Sequence, residues 1–369
     1  MIGMEQKGKG YVTNDFNTHR FEDNSYLVTT EQGSWSLLTR DEYKKLESSD
    51  LEPESDLFKH LEDRGIVITE DNVEEIVKKH ALKNQFLFTG PSLHIITTTK
   101  RCNHRCSYCH SMPVESDEKR FDVDVKTGKR IVDFALKTNS EIVNFEFQGG
   151  EPLLNFSTVK KIMDYAEKEG EEKGKRVGFS IVSNLTELDE KTIEDLKQRD
   201  INITTSLDGP EELHNTNRNY LGGGGTHGDV VQNIRRLREN GVGVNALCTI
   251  TRDSLGRGEE IVDEYDRLDL DKIWLRPLNK IGFAEENWNR VGYTAEQFTE
   301  FYRETLHYIT EEREGMKELY ATLLARKILG IKDPEMTEMT SPCGAGISQL
   351  MYDRNGDIYT CDEGKIFDE

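Results

Sequence analysis

The sequence is poor in cysteine and in long apolar runs, and each shortage excludes a class of protein. Six cysteines in 369 residues are too few for a disulfide-stapled scaffold. No apolar run approaches the roughly eighteen residues that a membrane-spanning helix needs. The opening segment Met1–Gly8 lacks the apolar core of a secretion signal. We therefore predict a cytoplasmic protein with reduced cysteines and no membrane partner.

Positive charge is also scarce in this chain. It carries 48 Lys and Arg residues against 69 Asp and Glu residues, which gives a formal net charge of -21. Such a surface repels backbone phosphates, so we expect no nucleic-acid partner. The charge suits a basic or neutral peptide, and it is also what a generously solvated surface carries.

Three of the six cysteines lie close together in the sequence. Cys102, Cys106 and Cys109 have the spacing C-x3-C-x2-C and come directly after the apolar, β-branched run Leu93–Thr98. Three thiolates on so short a segment can share one metal centre, because a loop can turn all three sulfurs inward. Zinc sites and ordinary ferredoxin clusters use four protein ligands, so three cysteines predict an open coordination position.

The open coordination position allows two interpretations of the loop. An open iron on a four-iron cluster could hold a small molecule and give it an electron. A zinc site could instead be completed by His104, His110 or a distant residue. The rest of the chain decides between these interpretations.

Residues 1–90 have the pattern of a separate small module. Two β-rich segments flank Gly33 and predict a hairpin, and Thr39–Glu42 matches a helix capping box. Two further short helices, the first of which ends at Gly65, and a short strand complete a winged-helix-like α+β unit. Its helices are acidic, so we expect a peptide or protein ligand, captured as an added strand at a sheet edge. The alternative is a cap without a binding role.

From residue 92 onward, predicted strands alternate with amphipathic helices. The strands begin near Leu93, Ile142, Val177, Ile201, Val242 and Lys272. The helices are Val125–Lys137, Ser157–Glu169, Asp189–Gln198, Asp229–Glu239 and Glu259–Leu268. Six such units in succession predict an α/β fold in which a parallel sheet, covered by helices, curves into a partial (β/α)6 barrel over residues 91–290.

Polar motifs follow the predicted strands, at the ends where such folds place their reactive residues. The cysteine loop follows the first strand, and the later motifs are Gln148–Pro152, Ser183–Asn184, Ser206–Gly209 and Arg276–Pro277. A tight turn or a helix cap is the alternative for any single motif. Their coincidence at successive strand ends predicts one binding site.

The residues at these strand ends suit a ligand that has an amino acid end and a ribose. Gly149 and Gly150 have no side chain, so a ligand could approach their backbone. Glu151 could hold an ammonium group, and Arg218 could pair with a carboxylate. Contacts of the kind that ribose hydroxyls need are offered by Asn184, Ser206 and Asp208.

Taken together, these motifs resemble the radical S-adenosylmethionine superfamily. The resemblance is carried by the three-cysteine spacing with Tyr108 inside it, by Gly149–Pro152 and by Ser206–Pro210. It implies that the cysteines hold a [4Fe–4S] cluster whose fourth iron is chelated by S-adenosylmethionine, and that cleavage gives a 5′-deoxyadenosyl radical. It implies no particular protein residue as the one that performs catalysis.

The same resemblance implies a position for each residue around the cofactor. Tyr108 is expected near the adenine, and Arg218 near the methionyl carboxylate. The turn formed by Gly149, Gly150 and Glu151 is expected to bind the methionyl amine. Near the ribose we expect Asn184 and Ser206.

Residues 291–369 are predicted to be a helical linker followed by an incomplete extension. Two long helices, Thr294–Arg313 and Met316–Leu329, precede the spacing C-x12-G-x4-C, which begins at Cys343 and ends at Cys361. This spacing resembles the opening of the SPASM extension of radical enzymes that modify peptides and proteins. A hairpin over Tyr352–Tyr359 would bring the two cysteines closer. The resemblance makes them candidate ligands of an auxiliary iron–sulfur cluster, for which this chain carries no further cysteines after Cys361; Cys248 is assigned to the core.

The layout as a whole is most similar to the His-Xaa-Ser system radical maturases, on the phrases Gly90–Ile96 and Phe145–Leu154. The resemblance implies an enzyme that modifies a ribosomally made precursor peptide, recognised through residues 1–90 and supplied with electrons by a flavodoxin or ferredoxin. One alternative is a maturase of a folded protein, as in the sulfatase-maturing relatives. Another is a non-catalytic, metal-stabilised scaffold that binds peptide.

Overall fold

The computed structural model describes residues 10–330 and 336–367, and these fall into two compact units. The first is formed by residues 10–88 and 323–330, and the second by residues 89–322 and 336–367. Among the residues described, no helix is both long and apolar enough to cross a bilayer.

The first unit combines short strands and helices. In chain order its elements are β1 (Val12–Thr13), β2 (Phe16–Arg20), β3 (Tyr26–Thr30), β4 (Trp35–Leu38), α1 (Arg40–Glu47), α2 (Asp56–Asp63), β5 (Val67–Ile68) and α3 (Val73–Lys83). Strands β2, β3 and β4 form an antiparallel sheet in that order, and β1 pairs with β5. The predicted hairpin at Gly33 and the capping box at Thr39 are confirmed. The winged-helix-like description stays a prediction.

A small apolar core holds the first unit together. Alternate residues of the strands point inward, so Val28 and Leu38 are buried, and Leu46 and Leu61 meet them from α1 and α2. Four of the five residues of β2 are polar and exposed, so this outer strand contributes little to the core.

The second unit alternates strands and helices, as the sequence predicts. Helix α4 (Phe86–Thr89) spans the boundary between the units, and the next elements are β6 (Leu93–Thr97), α5 (Val125–Ala135), β7 (Ile142–Gln148), α6 (Phe156–Glu172), β8 (Arg176–Val182), α7 (Glu190–Gln198), β9 (Asn202–Ser206), α8 (Glu211–Asn217), α9 (His227–Glu239), β10 (Val244–Thr249) and α10 (Gly258–Arg267). The later ones are β11 (Lys272–Ile273), β12 (Leu275–Arg276), α11 (Phe283–Glu286), α12 (Trp288–Val291), α13 (Ala295–Glu312), β13 (Lys317–Glu318), β14 (Gln349–Tyr352) and β15 (Ile358–Tyr359). Helix α14 (Leu319–Ile328) follows β13 and likewise spans the boundary, since its residues from Leu323 onward belong to the first unit.

An eight-stranded sheet is the centre of this unit, in the order β12-β10-β9-β8-β7-β6-β14-β15. The six predicted strands are adjacent in this order and parallel, so the α/β fold with a central parallel sheet is confirmed. Phe145 and Phe147 of β7 are fully buried, and Ile162 of α6 packs in the same core. The parallel arrangement of these six strands brings their carboxyl ends to one edge, where the cysteine loop lies.

The region predicted as linker and extension contributes to this same sheet. Strand β14 pairs with β6 in parallel, and the predicted hairpin places β15 antiparallel to β14. Met351 and Tyr352 are buried, so β14 extends the sheet beside the strand that leads into the cysteine loop.

The last predicted helix, Met316–Leu329, begins later than expected. Lys317 and Glu318 instead form β13, which pairs with β11. The buried Glu318 carboxylate accepts hydrogen bonds from the backbone N–H groups of Leu275 (3.3 Å) and Ala321 (2.7 Å). Because this side chain satisfies the first turn of α14, the helix starts at Leu319.

Candidate functional site

The cysteine loop lies between β6 and α5, at the carboxyl edge of the sheet. Cys102 and Cys106 are buried, Cys109 is half-buried, and none of the three forms a disulfide. Within the described residues, no three Cys, His, Asp or Glu side chains converge closely enough to hold a single metal ion. A four-iron cluster places each thiolate on a different iron, so its ligands do not need to converge on one point.

A buried ion pair anchors the first part of the loop. The guanidinium of Arg101 contacts both carboxylate oxygens of Asp122 at 2.8 Å. It also donates to the carbonyls of Ser116 (2.6 Å) and Leu154 (2.9 Å). These bonds fix the backbone immediately before Cys102. The sequence analysis missed Arg101, because a single arginine beside a cysteine carries no spacing signal.

Gly149 and Gly150 follow β7, and the backbone of the cysteine loop packs so closely against them that a side chain would not fit. A Cβ on Gly149 would lie 2.2 Å from the carbonyl oxygen of Thr99, and one on Gly150 would lie 2.1 Å from that of Arg101. The N–H of Gly150 donates to Thr99 (2.8 Å) and that of Glu151 donates to Arg101 (2.7 Å). The N–H of Gly150 is therefore occupied by the loop backbone, and the approach of a ligand to the turn at Gly149 and Gly150 stays a prediction.

Glu151 is fully buried and connects the ends of β7 and β8. Its carboxylate accepts from the Ser183 hydroxyl (2.7 Å) and from the backbone N–H groups of Asn184 (2.7 Å) and Leu153 (3.0 Å). Burial raises its pKa to about 7, although these hydrogen bonds oppose the shift. The predicted bond from Glu151 to an ammonium group stays a prediction, and the bonds seen here hold two strand ends together.

Tyr108, Asp208 and Arg218 form a buried polar group beneath the loop. The Tyr108 hydroxyl donates to the Asp208 carboxylate and accepts from Arg218 Nη1 at 2.8 Å. Burial raises the pKa values of both Tyr108 and Asp208, and the Arg218 cation opposes each shift. Arg218 Nε is buried without a hydrogen-bond partner among the described residues. A buried, unsatisfied donor of this kind fits an anionic ligand group.

Ser206 ends β9 and lies in register with Leu247 of β10. Ser183 directly follows β8, whose last residue, Val182, lies in register with Thr204 of β9, so the predicted motifs do meet along one edge. The side-chain amide of Asn184 contacts the sulfur of Cys102 at 3.7 Å, and its predicted place near the ribose stays a prediction.

Burial decides the protonation of the cysteines when no metal is bound. It raises the pKa of Cys106 to about 12, with Arg218 opposing the shift, and it also raises the pKa of Cys102. Both are therefore neutral thiols at pH 7 until a cationic centre favours the thiolates. The three cysteines on one short loop fit a [4Fe–4S] cluster with one open iron.

The outer side of the loop borders a polar cavity of about 350 Å³. Its walls include Arg105, Cys106, Asn217, Phe283 and Arg290. No motif in the sequence marks this cavity, because it forms only when α11 and α12 fold against the loop.

The two C-terminal cysteines have a different environment. Cys343 is exposed and Cys361 is half-buried. The backbone N–H of Gly346 donates to the carbonyl of Thr360 at 2.9 Å, so the hairpin does bring the two segments together, as predicted. Their role as auxiliary cluster ligands stays a prediction.

Comparisons with known proteins agree with this geometry. The Radical SAM superfamily matches residues 96–267. An uncharacterised protein of Methanocaldococcus jannaschii is 31% identical over 168 residues, which are 46% of this chain and 56% of that protein. A cysteine-type anaerobic sulfatase-maturating enzyme of Clostridium perfringens is 24% identical over 284 residues, which are 73% of this chain and 74% of the enzyme.

Two solved structures share the fold. The structure of anSMEcpe with bound AdoMet has a TM-score of 0.64 at 21% identity and covers 74% of this chain and 75% of its own. SuiB of Streptococcus suis, bound to its precursor peptide SuiA, has a TM-score of 0.58 at 15% identity and covers 98% of this chain and 84% of its own.

Proposed function

Residues 96–267 form a radical SAM superfamily domain, and from this premise we propose that the chain is a radical SAM maturase of a ribosomally made peptide. The observation that carries the proposal is the buried cysteine loop at the carboxyl edge of the parallel sheet. The family implies a [4Fe–4S] cluster and S-adenosylmethionine, and the three cysteines fit the cluster. An electron donor such as a flavodoxin or ferredoxin belongs to the proposal, because the cluster needs one electron per cleavage.

When bound, the cluster and S-adenosylmethionine supply the one-electron chemistry that begins hydrogen abstraction from the substrate. The protein itself holds these groups in position and excludes side reactions. Cys102, Cys106 and Cys109 hold the cluster, and the Arg101 ion pair fixes the loop that carries them. Arg218 Nε, which has no hydrogen-bond partner among the described residues, would donate to a carboxylate of the cofactor in a buried setting, where a charge-assisted hydrogen bond is strong.

A peptide substrate is supported by the extent of the likeness to SuiB. That likeness takes in 98% of this chain and so includes the first unit, and SuiB was solved with a precursor peptide bound. In the first unit, β2 and β4 are the outer strands of the antiparallel sheet. An outer strand can accept an extended peptide through main-chain hydrogen bonds.

The decisive experiment is anaerobic. The chain is reconstituted with iron and sulfide, reduced and mixed with S-adenosylmethionine, and 5′-deoxyadenosine is quantified. We expect about four irons per chain and deoxyadenosine production, both lost in Cys106→Ala. Cys248→Ala is the matched control, since that buried cysteine lies within β10. Zinc without iron, or cleavage that survives Cys106→Ala, would contradict the proposal.

A second candidate is a maturase of a folded protein. It is favoured by the 24% identity to the sulfatase-maturating enzyme of Clostridium perfringens. The two candidates differ in substrate. Deoxyadenosine formation that rises on addition of a sulfatase, but not of short ribosomally made peptides, would favour the second candidate over the first.

A further inference from the structure

The sulfur of Cys102 receives two hydrogen bonds from nitrogen donors. The backbone N–H of His104 lies 3.3 Å from it, and the side-chain amide of Asn184 lies 3.7 Å from it. The first bond comes from the loop itself. The second comes from the end of β8, 82 residues away in the sequence, so the sheet places it there.

The orientation of the Asn184 amide is fixed by its neighbours. Its Oδ1 accepts from the backbone N–H of Thr186 at 3.0 Å, and a backbone N–H can only donate. Nδ2 must therefore be the atom that faces Cys102. The Thr186 hydroxyl also bonds to Oδ1, at 2.8 Å.

The second hydrogen of the amide is also engaged. Nδ2 of Asn184 donates to Oδ1 of Asn103 at 2.8 Å, and Nδ2 of Asn103 donates to the Glu187 carboxylate at 2.8 Å. A carboxylate only accepts, so the Asn103 amide is oriented too. All four hydrogen-bonding positions of the Asn184 amide are thus occupied, which leaves none for a ribose hydroxyl.

We propose that Asn184 is a positioning residue that donates a hydrogen bond to the cluster ligand Cys102 and raises the reduction potential of the cluster. This inference rests on the proposed function, because it needs the cluster on Cys102. A reduced cluster carries one more negative charge, and an N–H directed at a ligand sulfur stabilises that charge. The assignment replaces the ribose contact that the family resemblance implies for Asn184.

The test is a redox titration of the reconstituted, full-length protein without S-adenosylmethionine, followed by electron paramagnetic resonance. Loss of one such bond in Asn184→Ala is expected to lower the ratio of reduced to oxidised cluster about fivefold at a fixed solution potential. For a one-electron couple this is a shift of about 40 mV to a more negative potential. The affinity for S-adenosylmethionine, measured on the oxidised cluster, should stay unchanged.

Asn155→Ala is the matched control. Asn155 and Asn184 are both 7% exposed, and the Asn155 amide donates to the carbonyls of Thr98 and Val123 at the base of the same loop. It should leave the potential unchanged. Equal shifts in both variants would mean general loosening of the loop and would overturn the inference. An unchanged potential with weaker S-adenosylmethionine binding in Asn184→Ala would restore the ribose assignment.

Three further outcomes can be told apart. If Asn184→Ala holds no cluster, the potential of Asn184→Asp is measured instead. This variant keeps the acceptor for Thr186, lacks the donor and adds a negative charge, so its potential should fall by more than about 40 mV, and an unchanged potential would overturn the inference. If neither variant holds a cluster, the residue is needed for assembly and the tuning role is wrong. If the wild-type chain holds no iron–sulfur cluster, the proposed function itself fails.

Discussion

The two cysteine-bearing regions of this chain show how differently a ligand motif can be presented. Cys102 and Cys106 are buried in a loop whose backbone is bonded to the turn after β7 and whose base holds an ion pair. Cys343 is exposed, and the backbone near it is bonded to its own hairpin. Sequence spacing therefore identifies candidate ligands, whereas bonds to distant strands determine which of these cysteines are fixed in position to bind a metal.

The largest effect is expected when the ion pair at the base of the cysteine loop is broken. Arg101→Met removes the partner of Asp122 and leaves a carboxylate that is largely buried with no cation. Breaking a buried pair in this way costs about 3–5 kcal/mol. We expect the free energy of unfolding, measured in urea, to fall by this amount and cluster content to fall with it.

Arg120→Ala is the control for this prediction. Arg120 pairs with Glu118 at 2.9 Å in the same loop, but both side chains are largely exposed. Exposed pairs contribute about 0–1 kcal/mol. Equal losses in the two variants would show that the buried pair does not anchor the loop.

The next effect concerns the close approach of two backbones. In Gly150→Ala the added Cβ would lie only 2.1 Å from the carbonyl oxygen of Arg101, so one of the two backbone segments must move. Overpacking of this kind costs about 1–3 kcal/mol. We expect lower unfolding free energy in urea and a lower iron content after reconstitution.

Gly228→Ala serves as the control for Gly150→Ala. No atom of the described residues lies within 4 Å of a Cβ added there, and Gly228 is within α9, where alanine is favoured by about 1 kcal/mol. Iron content should be unchanged. If Gly150→Ala behaved in the same way, the loop would be more adaptable than the hydrogen bonds indicate.

A smaller effect is expected at His94, which connects the strand before the cysteine loop to β14 of the C-terminal region. His94 of β6 is buried, accepts from the Tyr352 hydroxyl of β14 (2.8 Å) and donates to the Pro91 carbonyl (3.3 Å). Burial lowers its pKa from about 6.5 to about 4, although the bond to Pro91 opposes the shift. Between these values the unfolded chain binds a proton that the folded chain does not.

Stability from His94 is therefore fully present above pH 6.5 and is lost as the pH falls towards 4. The loss amounts to about 2 kcal/mol between pH 7 and pH 5. His94→Gln should remove this part of the pH dependence of urea unfolding, whereas His19→Gln, an exposed site in the first unit, should not. Identical slopes in all three proteins would show that His94 does not titrate in this way.

Local patterns predicted much of this fold, because strand and helix periods are encoded in short segments. These patterns predict the six parallel strands and the polar motifs at their carboxyl ends. The pairing of β14 with β6 joins residues about 250 positions apart, and no local period reports it. Gly150 was correctly singled out but for a different reason, since only the folded loop shows what its missing side chain makes room for. Arg101 and Asn184 act through partners that tertiary structure supplies.

The smallest effect is expected for replacement of the two C-terminal cysteines, Cys343 and Cys361. Because Cys343 is exposed and Cys361 half-buried, replacing both with serine should change the unfolding free energy by less than about 0.5 kcal/mol. If the cluster is held by the buried loop alone, iron and sulfide per reconstituted chain should equal those of the wild type. A loss of iron in the double variant, with Cys106→Ala retaining some, would instead show that the two C-terminal cysteines hold an auxiliary cluster. The buried and exposed regions would then differ in how completely each encloses its metal, because both would bind one.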